Sequence, residues 1–220
     1  MTEIRPLAPP DDVRRHLGPA ADVLDAMLAE VAADPARIGR LFAGAARRTA
    51  RGPLPGDEVL VEDAVRVELV AAAAQQLDAD RLGTELAALY RFGDSDEKRA
   101  VLLALGRLPA DAGVDGTELL LDALRTNDTR LVAAAMGEHA RRLPIDQWRH
   151  GVLKCLFTGV PVDHVAGLAD RADAELGAMA ERYARERRAA GREVPADVAT
   201  VIAACPQPQH EQPQHQPTEA

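Results

Sequence analysis

The sequence predicts an all-α fold, and three observations carry that prediction. Apolar residues recur at three-to-four spacing through most of the chain. Ala and Arg, both good helix formers, are abundant. No stretch sustains period-two alternation, since Val59-Leu60-Val61 and Arg192-Glu193-Val194 are too short to make strands.

The elements follow in order. Asp22 to Ala33 sets Val23, Leu24, Met27, Leu28 and Val31 on one face. Pro35 opens a second helix from its favoured first turn, with Ile38, Leu41 and Phe42 inward. Gly52, Pro53, Pro55 and Gly56 break it. A third helix runs from Glu62 to Leu77, and Asp78 caps a fourth carrying Leu82, Leu86 and Leu89. Asp94-Ser95-Asp96-Glu97 starts a fifth over Val101, Leu102 and Leu105. Thr117 to Arg125 is a sixth, and Asn127 or Asp128 caps a seventh through Leu131, Val132 and Met136. Asp146 is expected to cap an eighth, Gln147 to Phe157. Asp173 caps the longest, which reaches about Ala190 and stops at Gly191.

Helix pairs begin near residues 22, 62, 96 and 127, the scale of α-hairpin repeats. The expected layout is antiparallel helical hairpins in a HEAT-like α–α superhelix, with a compact helical bundle as the alternative. Residues 1–9 read as a flexible N-terminus, 10–205 as one helical domain, and 206–220 as a disordered Pro/Gln/His-rich tail.

Composition excludes several function classes. Lys and Arg number 26 against 35 Asp and Glu, a formal net charge of −9. A broad nucleic-acid surface needs a cationic face, and aromatics at 3% do not build a base-stacking platform. Two cysteines, Cys155 and Cys205, cannot form a disulfide framework and suit a reducing cytoplasm. The N-terminus has no apolar signal core, and no run is long enough to span a membrane. His16 and His164 lack metal-ligand spacing, and two flexible histidines in the tail, His210 and His215, rarely make a tight metal site, so neither a metal nor a cofactor is expected.

The informative stretch is 127–195. Lys occurs only at 98 and 154, and Lys154 sits in the apolar run Val152-Leu153-Lys154-Cys155-Leu156-Phe157. A desolvated Lys can serve as base or Schiff-base nucleophile. The plain alternative is a snorkelling stem whose ammonium pairs with a carboxylate such as Glu138. His150 stands four residues before Lys154 and shares its face, which suits joint anion binding. Trp148, the only tryptophan, reads as core or as pocket lining. Glu138-His139 is no zinc motif, because no second His stands four residues from His139. On the last long helix, Leu176, Met179, Ala180 and Tyr183 form an inward stripe with Arg187 at its edge and Arg192 just beyond. These arginines either form a solvated ion-paired face or clamp an anion. Cys155 is either a lowered-pKa thiol or an inert small hydrophobe. There is no Gly-rich phosphate loop and no Gly-x-Ser-x-Gly elbow.

Val152 to Phe157 with Gly159 and Pro161, Arg171-Ala172-Asp173 with Glu175-Leu176, Tyr183-Ala184 with Glu186-Arg187, and the close Ala189-Ala190-Gly191-Arg192 together resemble the EboA family. The resemblance is strongest over 127–197 and looser over 20–125, where Tyr90-Arg91-Phe92-Gly93 and Leu108-Pro109 contribute. One departure is Asp173, where the family is expected to carry Asn. The resemblance implies a bacterial protein encoded beside a UbiA-type prenyltransferase, a sugar-phosphate isomerase-like barrel, a TatD-like metal hydrolase and a dehydroquinate synthase-like cyclase. It implies a role in making or moving a specialised metabolite, in cyanobacteria the export of a sunscreen pigment precursor. No catalytic residue carries over.

The leading expectation is a cytoplasmic accessory protein that binds a pathway intermediate or one of those enzymes. Glu138, His139, Trp148, His150, Lys154, Arg171, Arg187 and Arg192 are the expected binding residues, with cationic and His groups on an anionic head and Trp148 on an apolar portion. One competitor is an enzyme acting on a cyclitol-like or prenylated intermediate through Lys154. The other is a pure protein scaffold.

Overall fold

Aspartates start the helices. Asp78, Asp94, Asp128 and Asp173 each stand in extended backbone and accept a backbone N–H of the first turn. They satisfy donors that the helix itself leaves free. Asp94 completes a reciprocal box, because the Glu97 carboxylate takes the Asp94 N–H at 3.0 Å.

The computed structural model describes residues 9–54 and 59–206. Their helices are α1 (Pro10–Leu17), α2 (Ala21–Ala33), α3 (Ile38–Arg48), α4 (Val61–Ala74), α5 (Ala79–Phe92), α6 (Ser95–Arg107), α7 (Thr117–Arg125), α8 (Thr129–Ala135), α9 (Ile145–Thr158), α10 (Leu168–Arg171), α11 (Ala174–Ala189) and α12 (Asp197–Ala204). Short 3-10 turns include Pro35–Arg37 and Glu138–Arg142. The fold is all-α: among the described residues there is no strand, only an isolated antiparallel bridge between Pro53 and Leu60. Apart from Pro9 and Pro206, the expected flexible ends lie outside the described residues, His210 and His215 with them.

Several boundaries differ from expectation, among them the helix expected from Pro35, where Pro35–Arg37 is a 3-10 turn and α3 begins at Ile38. α9 begins at Ile145, after extended Pro144, so Asp146 sits inside the first turn and caps nothing. It pairs with Arg149 three residues on. α4 ends at Ala74 rather than Leu77. α1, α10 and α12 were not foreseen: they are short, and α1 buries only Val13 and Leu17 among charged neighbours.

α4 is the packing centre. It touches α1, α2, α3, α5 and α6, and nine of its side chains are buried. α6 continues the file onto α8 and onto the Glu138–Arg142 turn, and α9 meets α7, α8 and α11. One cluster of buried side chains runs from Val13 to Cys205. The α4–α6 contact contains charge as well as hydrocarbon. Arg99 Nε donates to Asp63 Oδ2 at 2.7 Å, with both side chains nearly buried. Arg66 donates to the Phe42 carbonyl at 3.2 Å and lies 3.8 Å from Glu97. Burial pushes the Asp63 carboxyl up, and the Arg99 hydrogen bond opposes that shift.

Asp173 gains from the departure noted above. It caps α11 through the Leu176 N–H at 3.0 Å and also pairs with Arg149, which an amide cannot do ionically.

Candidate functional site

Gly159 ends α9 in the left-handed region at φ 76° and turns the chain into a loop laid across α8 and α9. The Val162 N–H donates to Asp197 Oδ2 at 3.2 Å, tying the loop to the start of α12. The Ala166 N–H donates to the Met136 carbonyl at 3.0 Å, and Trp148 Nε1 donates to the Ala166 carbonyl at 2.9 Å. Gly167, at φ 86°, then enters α10; an added Cβ there would lie 2.7 Å from Arg171 Cδ, so both backbone and space require glycine.

This loop forms one wall of a half-open cleft of about 670 Å³. Leu102, Leu103, Gly106 and Arg107 of α6 form the opposite wall. Ala134, Gly137, Glu138 and Arg141 close its base, and Ala204 of α12 touches it. The volume lies within the range of small-molecule sites. Its apolar side is Leu102, Leu103, Val165 and Leu168; its polar rim is Arg107, Glu138, Arg141, Asp163, His164 and Asp170. The side chains of Arg107 and His164 make no hydrogen bond or ion pair within the described residues; Arg107 has only the longer-range attraction of Glu68. Arg141 is held by Glu138 at 2.8 Å and by Asp170 at 2.8 Å.

Only Glu138 of the sequence-predicted residues lines this cleft. Trp148 is fully buried, and its ring carries Arg171 at 5.0 Å. Arg171 spends its guanidinium on three backbone carbonyls: Ala140 at 3.0 Å, Arg141 at 2.9 Å and Leu143 at 2.6 Å. Burial holds it below the usual arginine range. Trp148 and Arg171 therefore form the frame beneath the cleft.

His139 is buried and also faces away from the cleft. Its Nδ1 donates to the Leu105 carbonyl at 3.1 Å, and its Nε2 accepts the Gly116 N–H at 3.2 Å, which fits the neutral ring. Burial, and then the nearby Arg142, push its pKa below the ordinary 6.5. Asp115 and the Leu105 bond act the other way. A histidine depressed in the folded state stabilises fully above its unfolded value, and that contribution is lost as pH falls from there towards the folded value. The urea midpoint is expected to fall between about pH 6.5 and 5, and less steeply in His139→Gln. Equal slopes for the two proteins would contradict this.

Lys154 lies on the outer side of α9. Its Nζ donates to Asn127 Oδ1 at 2.9 Å, not to Glu138, and lies 5.8 Å from the ring centre of the exposed Phe157. Within the apolar run, Val152, Cys155 and Leu156 are buried, while Leu153, Lys154 and Phe157 lie along the outer edge of the helix. His150 is exposed on the same helix, with Nδ1 2.7 Å from the Asp146 carbonyl. Arg187 donates to the Glu193 carbonyl at 2.6 Å and stacks on Tyr183, and exposed Arg192 follows past the end of α11. These four do not meet the cleft. Burial pushes the Cys155 thiol up to about 12, so it is the inert hydrophobe of the two readings.

The cleft residues that sequence reasoning missed are Arg107, Arg141, Asp163, His164 and Asp170. They come from three segments, and no spacing joins them. The one local signal was Gly159 and Gly167 bracketing a loop. Among the described residues no group of His, Cys, Asp or Glu is placed to hold a metal ion, and no helix is long and apolar enough to cross a membrane.

Fold and site together define an all-helical protein with a half-open, mixed-charge cleft beside the loop between Gly159 and Gly167. The chain belongs to the EboA family: the family model described as "Metabolite traffic protein EboA" matches residues 43–203, which include every cleft residue but Ala204. No curated protein and no solved structure matches the chain. The family description fits an accessory role in metabolite handling.

Proposed function

We propose that the cleft between α6 and residues 163–170 binds a small amphipathic intermediate of a specialised-metabolite pathway. The protein would hold this intermediate in the cytoplasm for processing or transport by the pathway enzymes that the family resemblance points to. The observation that carries the reading is the pairing, in one cleft of about 670 Å³, of an apolar wall with a rim where the side chains of Arg107 and His164 make no hydrogen bond or ion pair among the described residues. Unpaired donors beside an apolar surface suit a ligand with an anionic head and a hydrocarbon body. Leu102, Leu103, Val165 and Leu168 take the apolar role first expected of Trp148, which is fully buried.

Leu103 is half-buried and lines the cleft, so Leu103→Arg places a long cation in the ligand space. Wild-type protein and this variant are purified in parallel from the native host and extracted with solvent. Mass spectrometry of the extracts is expected to show a compound enriched with wild type and depleted at least tenfold, about 1.4 kcal/mol of lost binding, with the variant. Equal enrichment at equal melting temperature would remove the cleft from consideration. A role for Lys154 as base or nucleophile has weaker support, because its ammonium is bonded to Asn127 and it does not line the cleft.

A further inference from the structure

Arg141 is fixed at its backbone and loose at its tip. Arg171 holds the Arg141 carbonyl at 2.9 Å and the carbonyls of Ala140 and Leu143 on either side. The turn that carries Arg141 is therefore pinned from beneath. The guanidinium is held differently. Nε pairs with Glu138 at 2.8 Å, while Nη1 alone takes both Asp170 oxygens, at 3.0 and 2.8 Å. The two-pronged face of the guanidinium is thus not matched to the carboxylate. All three side chains are well exposed, at 43% for Arg141, 65% for Glu138 and 60% for Asp170. Exposed ion pairs of this kind contribute little and exchange readily. Asp170 and Arg171 are consecutive in α10, so one short helix both pins the Arg141 backbone and occupies its side chain.

We infer that Asp170 is a specificity residue: it competes from within for Arg141, so that the cleft takes amphipathic anions and refuses small inorganic ones. The inference rests on the reading of the cleft as a ligand site. An anion that takes the two-pronged face of the guanidinium, through Nη1 and Nη2 together, must displace Asp170 from Nη1. Inorganic phosphate brings no apolar surface to offset that exchange and must shed water as well. An anion with a hydrocarbon body gains from covering Leu103, Ala134 and Ala169, lining residues that are not already buried, and this gain grows with the apolar area removed from water. The rim, with Arg107 and Arg141 against Glu138, Asp163 and Asp170, has no excess positive charge to retain simple anions.

The test uses the fluorescent amphipathic anion anilinonaphthalenesulfonate, titrated into the full chain, with inorganic phosphate as competitor. Asp170→Asn is expected to tighten probe binding about five-fold, the equivalent of one surface ion pair. Arg141→Gln is expected to weaken it by a similar factor. The double variant should match Arg141→Gln alone, because Asp170 acts only through Arg141. Phosphate should displace the probe from Asp170→Asn and not from wild type. Wild-type affinity in Asp170→Asn, or phosphate displacing the probe equally from both, overturns the inference while leaving the cleft as a site. Unchanged probe binding in Leu103→Arg overturns both.

Discussion

Asp63→Ala is expected to lower folding stability by about 3–5 kcal/mol, the largest effect of any single charged residue in the chain. Removing the carboxylate leaves Arg99 buried between α4 and α6, with only Asp96 at 3.2 Å near the surface as partner. An uncompensated buried charge, rather than the loss of one hydrogen bond, sets the magnitude. The melting temperature should fall by about 2–4 °C per kcal/mol in a chain of this size. Replacing both partners, as Asp63→Leu with Arg99→Met, should recover most of the loss, since apolar groups of similar volume need no pairing. Arg66 keeps Glu97 and the Phe42 carbonyl throughout. Denaturant unfolding of the three proteins decides the matter. A loss below about 1 kcal/mol in Asp63→Ala would mean that water already serves this pair.

Arg171→Ala is expected to cost about 2–4 kcal/mol, because three carbonyls lose a charged donor and the Trp148 ring loses its cation. Arg171→Lys should recover less than half, because a single ammonium cannot span three carbonyls as a planar fork does. The loss should couple to the site, since Arg171 joins the turn that carries Arg141 to the loop that carries His164. Hydrogen exchange is the measurement: amides of residues 138–143 and 165–171 should lose protection together in Arg171→Ala, while those of α4 keep theirs. Uniform loss across the chain, or none, would contradict that coupling.

Which features could be read from the chain follows from how local each one is. Asp78, Asp94, Asp128 and Asp173 act on the residues that follow them: Asp78 and Asp173 cap as expected, Asp128 is the cap of the two candidates Asn127 and Asp128, and Asp94 caps the helix its tetrapeptide was expected to start. Asp146 looked the same, but the helix is entered from Pro144, two residues sooner. α1, α10 and α12 draw their order from neighbours, so their short patterns carried little signal. Arg171 belongs to the motif that carries the family resemblance and Trp148 is the chain's one tryptophan, yet both hold the frame beneath the cleft. The cleft itself is assembled from 102–107, 134–141, 163–170 and Ala204, and tertiary proximity of that kind leaves no trace in spacing. His164 looked isolated for the same reason. Lys154 looked buried because its run mixes two faces: Val152, Cys155 and Leu156 point into the core, while Lys154 shares the outer edge with Phe157, which is 65% exposed.

The central claim is that this cleft is where the metabolite sits. The most direct measurement is a crystal structure of the protein purified from its own host, without exchange into ligand-free conditions. The claim predicts ordered non-protein density between Leu103 and Val165, with an anionic end within hydrogen-bond reach of Arg107, Arg141 or His164. Density seated instead on the outer face of α9, against Lys154 and His150 with the cleft unfilled, would contradict it.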